Sequence, residues 1–227
     1  MLNKIKEKEI VDSFQAFFVE GAEFTKNEEY PIIRYDMVPK EPPLKIMPFS
    51  KAINYRGDLS KTVIYFFCPD ATFERVRKHP KRYLNFFKRT AGIIGFDFSV
   101  HSDMPIVKQK SQMNDNLSLS YYYGNNNIGL YPSARCGSQD LEEEYLSAFP
   151  KHTIISLGVH GFIKKKYQKQ EWRYWIRTII EFLEPSGLLV IGKLDSDIVK
   201  EFSDKTTFYL FDSFIDERNT EVGKHGK

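Results

Sequence analysis

Ile93-Ile94-Gly95-Phe96-Asp97-Phe98-Ser99-Val100-His101-Ser102-Asp103-Met104-Pro105 begins as an apolar run and ends abruptly in carboxylates, hydroxyls and an imidazole. A short apolar run bounded by turn-forming residues has the pattern of a strand buried on both faces. The same pattern recurs on either side of it. Val63-Ile64-Tyr65-Phe66-Phe67 stops at Cys68-Pro69-Asp70, Ile128 to Tyr131 stops at Pro132-Ser133-Ala134-Arg135, and Thr153 to Leu157 stops at Gly158-Val159-His160-Gly161. With Leu188 to Ile191 and Thr207 to Leu210 these make six predicted strands.

Helix-like sequence fills the intervals. Asp70 is placed to cap a helix, Pro80 to open a second that ends near Arg89, and Pro105 to open a third running towards Tyr123. Leu141 to Phe149 reads as helical, and a short helix starts near Ser196. Trp172, Trp175, Ile176, Ile179, Ile180 and Leu183 form one apolar stripe at helical spacing, terminated by Pro185-Ser186-Gly187. This alternation predicts an α/β fold in one of two forms. One is a mainly parallel sheet of about six strands with helices on both faces; the other is an incomplete β/α barrel.

Upstream, Ile10, Phe14, Phe17 and Phe18 give Asn3 to Val19 the spacing of an amphipathic N-terminal helix that Gly21 stops. Residues 30–55 carry Pro31, Pro39, Pro42, Pro43 and Pro48, which exclude a long helix and favour an extended segment wrapped over the core. A chain of 227 residues suits one core better than two, so residues 1–215 are expected as a single α/β domain and 216–227 as a polar tail.

Composition excludes some classes. A formal charge of +3 is too small to mark a nucleic-acid binder by itself, so the distribution of charge matters more than its total. Cys68 and Cys136 are the only cysteines, too few for a disulfide framework and without metal-binding pair spacing, which fits a reducing compartment. Met1 to Glu9 has no apolar signal core and no apolar run reaches membrane-spanning length, so a cytoplasmic protein without a membrane partner is expected.

Ligands of parallel α/β proteins gather beyond the carboxyl ends of the strands. That rule selects Asp70, then Asp97, Ser99, His101 and Asp103, then Arg135, then His160 with Gly158 and Gly161, then Lys193 with Asp195 and Asp197. Asp97, His101 and Asp103 offer donors for a divalent metal or for acid–base work, but no motif fixes a ligand spacing, and the cofactor stays unassigned. The plainer alternative has Asp97 and Ser99 capping backbone amides and His101 simply exposed. Arg135 could clamp an anion or close an internal salt bridge. His160 between two glycines could act on an anion, or sit in an ordinary turn. Gly187 to Lys193 has the glycine and lysine spacing of a phosphate-binding loop, yet a strand fills the interval and Leu194 replaces the required hydroxyl.

Two basic regions stand out. Arg75, Arg77, Lys78, Lys81 and Arg82 are interleaved with Phe73, Tyr83, Phe86 and Phe87; Lys169, Arg173 and Arg177 recur every four residues opposite the tryptophan stripe. Cations with aromatics can grip a phosphate backbone and stack on bases, and the same mixture describes amphipathic helices with a solvated face.

Glu20-Gly21-Ala22-Glu23-Phe24, Pro48-Phe49-Ser50-Lys51-Ala52, Asp97-Phe98-Ser99 with Asp103-Met104-Pro105 and Gln109, and Gly158-Val159-His160-Gly161 resemble, in that order, a family of phages and mobile elements catalogued as domain of unknown function 4417. The resemblance covers roughly residues 14 to 210. It implies a phage-associated protein working in the host cytoplasm and brings no established reaction. Two positions depart from the family's pattern: Leu117 stands where an arginine precedes the aromatic pair Tyr121-Tyr122, and Cys136 where a tryptophan follows Arg135. If they line a pocket, activity in this copy is changed or lost.

Two functions follow as expectations, with enzymatic activity left open. In the first, nucleic acid or a nucleotide-like phosphate ligand binds at the strand ends. Asp97, Asp103 and His160 are then the catalytic candidates, and Ser99, Gln109, Arg135, Gly158 and Gly161 bind the ligand. In the second, the protein inhibits a host factor such as a defence system through its basic faces and the Tyr121-Tyr122-Tyr123 cluster. A catalytically decayed enzyme kept as a scaffold is the third.

Overall fold

The computed structural model describes residues 15–27, 29–159 and 166–213, the side chains of 166–168 excepted. Seven strands are present among them: β1 Lys45–Pro48, β2 Thr62–Tyr65, β3 Gly92–Ile94, β4 Leu130–Tyr131, β5 Ile154–Gly158, β6 Gly187–Ile191 and β7 Thr207–Phe211. The helices are α1 Phe49–Ala52, α2 Glu74–Lys78, α3 Pro80–Phe87, α4 Ile106–Asn125, α5 Glu142–Leu146, α6 Lys166–Leu183 and α7 Ser196–Phe202.

Every paired strand is parallel to its neighbour, and order in space follows order in the chain: β1-β2-β3-β4 in one sheet, β5-β6-β7 in a second. The two sheets meet at one parallel bridge between Ser133 and Ser156. There Ser156 N donates to Pro132 O at 2.8 Å and Ala134 N donates to Ser156 O at 3.0 Å. The Ser156 hydroxyl adds a bond to Pro132 O at 2.9 Å.

Side chains divide cleanly by face, as the two-residue period of a strand requires. Ile64, Phe66, Ile93, Leu130, Ile155, Leu157, Leu188 and Val190 pack with helix residues in the larger core. Val63, Tyr65, Phe67, Ile94, Tyr131, Ile154, Leu189 and Ile191 pack only with one another and with the edge-strand residues Ile46, Tyr209 and Phe211. A doubly wound sheet reverses its strand order and covers both faces with helices; chain-order strands with an inner face of strand residues alone are the barrel arrangement. The barrel does not close, since β1 and β7 are not paired among the described residues. Gly158 belongs to the inner face, where a Cβ would lie 2.7 Å from the Phe67 ring, so a glycine is what lets that ring seat there.

The six strands legible in the sequence are all present, and β1 is additional. It lies inside the proline-rich segment, at a sheet edge, where the missing amide of Pro48 costs no ladder bond that the fold needs. The rest of that segment carries Tyr30, Ile33, Met37 and Val38 into the larger core. Of the expected N-terminal helix the described part, Ala16–Val19, is a 3₁₀ turn; residues 3–14 and the tail 216–227 lie outside the described residues. Helix α6 buries Ile176, Ile179 and Leu183 completely, and truncating any one of them to alanine would cost about 2–5 kcal/mol. No helix among the described residues is long and apolar enough to cross a membrane.

Candidate functional site

After β3 the chain runs on: Gly95 N still donates to Tyr131 O of β4 at 2.8 Å, and Phe96 to Phe98 take their partners from a helix. Side chains of α4 supply what a neighbouring strand would. Ser120 Oγ accepts from Phe96 N at 3.0 Å. Asn116 accepts from Phe98 N at 2.7 Å and donates to Phe98 O at 3.0 Å. Gln109 donates to Met104 O at 2.8 Å and accepts from Ser138 N at 2.8 Å and Ser138 Oγ at 3.0 Å. Positions 109, 116 and 120 fall on one side of the helix. On the far side of the strand extension, Asp70 accepts from Ser99 N at 3.2 Å and Ser99 Oγ at 3.0 Å.

Phe96 and Phe98 are buried in the larger core, and Asp97 between them points the other way, into a cavity. The cavity measures about 560 Å³. Its walls come from the loops after β3 and β4, from Gly158 at the end of β5, and from α5 and α6. Asp97, only 6 % exposed, accepts from Arg135 Nη1 at 3.0 Å. Opposite stand Trp172, Tyr174 and Trp175, the last donating from its indole to Ala134 O at 3.3 Å. Glu142 of α5 completes the wall, buried, with its Oε2 accepting from the Tyr174 hydroxyl at 3.0 Å. Burial raises the Glu142 carboxyl above the ordinary glutamate range, and the bond from Tyr174 partly offsets it. Burial also pushes the Cys136 thiol up to about 12 and the Cys68 thiol up to about 11, so neither is a thiolate nucleophile at neutral pH.

Of the residues singled out in the sequence, Asp97, Arg135 and Gly158 converge on the cavity, with His101 at its rim. Ser99 and Gln109 stand behind it: Gln109, fully buried, ties the loop after β3 to the loop after β4. Asp103 is exposed in the turn before α4 and is not part of the lining. His160 and Gly161 lie outside the described residues. Cys136, at one of the departures from the family pattern, lines the cavity, whereas Leu117, at the other, is buried in the larger core. Among the described residues no group of three or more His, Cys, Asp or Glu is placed to hold a metal ion.

The basic residues divide by partner. Arg77 pairs with Glu74 at 2.8 Å and with Asp115, and Lys78 lies 3.8 Å from Glu74. On α6, Lys169 pairs with Asp195 at 2.6 Å and Asp197 at 3.2 Å, Arg173 with Glu201 at 2.6 Å, and Arg177 with Glu201 at 2.8 Å. Arg75 and Lys81 lie over aromatic rings, of Phe49 at 5.4 Å and Phe17 at 5.1 Å, and Arg82 is exposed on α3.

Glu142, Tyr174 and the two tryptophans were not singled out as site residues in the sequence. The usable signal was that Trp172 and Trp175, about one turn apart, start the α6 stripe ahead of its fully apolar part and are only partly buried against the core.

Comparison with known proteins finds relatives among phage proteins. Over 131 residues, 58% of the chain, it is 24% identical to the Gene 1 protein of Mycobacterium phage L5, and the alignment covers 57% of that protein. Over 136 residues, 60% of the chain, it is 22% identical to the Gene 1 protein of Mycobacterium phage D29, covering 50% of it. The chain thus spans about half the length of the curated relatives it matches. No solved structure matches. The family model described as Domain of unknown function (DUF4417) matches residues 23–212, in agreement with the motifs in the sequence, and the chain belongs to that family.

Proposed function

We propose that this phage-related protein binds a small organic ligand in the cavity at the carboxyl ends of β3, β4 and β5. The observation that carries the reading is a hollow of about 560 Å³ at the strand ends, walled on one side by aromatic side chains and on the other by the Asp97–Arg135 pair. That volume lies within the range of ligand pockets, and a few convergent polar groups in an aromatic setting are their usual lining. If the ligand is turned over, Asp97 is the acid–base residue of this reading and Arg135 its charge partner. A nucleotide-like ligand fits only if its phosphate shares Arg135 with Asp97. A thermal-shift panel of nucleosides, nucleotides, sugars and amines tests the reading. A stabilising compound whose effect disappears in Trp172→Ala supports it; a panel with no stabilising member, or effects indifferent to that substitution, overturns it.

A second reading is favoured by the α2–α3 face, where Lys81 and Arg82 are exposed and form no ion pair with a carboxylate among the described residues, unlike Arg77, Lys169, Arg173 and Arg177. Such a face suits a nucleic-acid backbone or the acidic surface of a host protein. Both roles belong in the cytoplasm of an infected cell. Fluorescence anisotropy with labelled DNA and RNA at low salt, beside capture from host lysate, separates the two; binding that survives Lys81→Glu with Arg82→Glu counts against both.

A further inference from the structure

We infer that the cavity takes a small organic cation whose positive charge sits beside an apolar or aromatic ring. This deepens the proposal that the cavity is the ligand site and rests on it.

The charge of the lining is one-sided. Among the described residues, Asp97, Asp140, Glu142 and Glu171 face it, against a single arginine, Arg135. That arginine is closed on Asp97 at 3.0 Å. Asp140, Glu142 and Glu171 form no ion pair among the described residues. Carboxylates around a concave site with low-dielectric walls concentrate cations and repel phosphates.

Glu142 makes the demand specific. The residue is 8 % exposed and lines the cavity, and only its Oε2 has a partner among the described residues, the Tyr174 hydroxyl. The other carboxylate oxygen is open to the cavity, and a charged N–H donor is the group that such an acceptor in an apolar-walled hollow binds best. Trp172, Tyr174 and Trp175 stand on the same side, and the negative faces of such rings attract a cation once it is out of water. The carboxylates come from separate elements, and no cluster of them is placed to grip a bare metal ion among the described residues, so the charge is one carried on an organic frame.

The protein carries its own reporter. It has two tryptophans, and both line this cavity, so intrinsic fluorescence follows occupancy without a label. Benzamidine, benzyl alcohol, benzoate and AMP are titrated into the full chain. Benzamidine is expected to give a saturable change at a concentration at least about tenfold below benzyl alcohol, the difference a desolvated cation–carboxylate contact supplies. Benzoate and AMP are expected to give none in that range. Glu142→Gln, which keeps an acceptor for Tyr174, should weaken benzamidine at least about tenfold while leaving benzyl alcohol unchanged. The exposed variant Glu171→Gln, which threatens no core contact, should weaken it about threefold. Benzoate or AMP binding as tightly as benzamidine, with the signal lost in Trp172→Ala, overturns the cationic class and leaves the cavity as the ligand site. No fluorescence change with any of the four, together with a silent thermal-shift panel, overturns both.

Discussion

Glu142 shows how a single carboxylate can be hidden in plain sequence. Glu142-Glu143-Glu144 reads as a solvated charge run, yet helix phase puts Glu142 against the cavity while Glu143 is exposed. Its burial has a testable consequence for stability. Because the folded carboxyl titrates above the unfolded one, the folded state holds the proton more tightly; the favourable contribution is complete below the unfolded value, about pH 4.3, and is lost as pH rises through the folded value. Glu142→Gln removes that loss. Its melting temperature should exceed that of the parent at pH 8, with the gap shrinking towards pH 4; a gap independent of pH would remove burial of charge as the cause. Asp97 and Arg135, in contrast, were legible as strand-end residues because each follows an apolar run that ends in polar sequence, and both line the cavity. That the two pair with each other was not legible, since their meeting depends on β3 lying beside β4.

Helix α4 was legible from Pro105 towards Tyr123, and its task was not. Asn116 and Ser120 look like a solvated face, because side chains that bond backbone leave no hydrophobic period to read, and Gln109 was singled out only as a ligand contact. In the fold they are buried and hold the strand extension that presents Asp97. Asn116→Ala strands a buried amide and a buried carbonyl of Phe98, which should cost about 2–4 kcal/mol in urea denaturation. Ser118→Ala, on the same helix with a single long contact of 3.4 Å to Asn114, should change stability by less than about 0.5 kcal/mol. Equal losses would mean that the polar stripe holds nothing in particular. Strand β1 was illegible for a related reason: prolines argue against a strand only when the strand is central, and edge position is a property of the whole sheet.

At the scale of the molecule, strand and helix alternation left two architectures open, because the sequence pattern of each unit is the same in both. The choice lies in which strands pair across long separations, and here each pairs with its successor. The outcome is a curved layer whose inner face is filled by its own side chains, Phe67 against Gly158 included, so that the hollow forms beside the barrel mouth under α6.

Among the described residues the two sheets share one backbone bridge, between Ser133 and Ser156, and the cavity straddles it. Asp97 and Arg135 reach in from the four-stranded side, Gly158, Trp172 and Trp175 from the three-stranded side. A molecule held by both sides would act as a clasp across a seam where the backbone ladder is one bridge long, although side chains pack across it. Native-state hydrogen exchange should show it. The amides of Ala134 and Ser156 should exchange faster than that of Leu189 in the empty protein and slow selectively when benzamidine saturates the cavity, whereas uniform slowing across the sheets would deny the clasp. Occupancy would then be written into the stiffness of the whole protein, legible to any partner that touches either sheet far from the cavity.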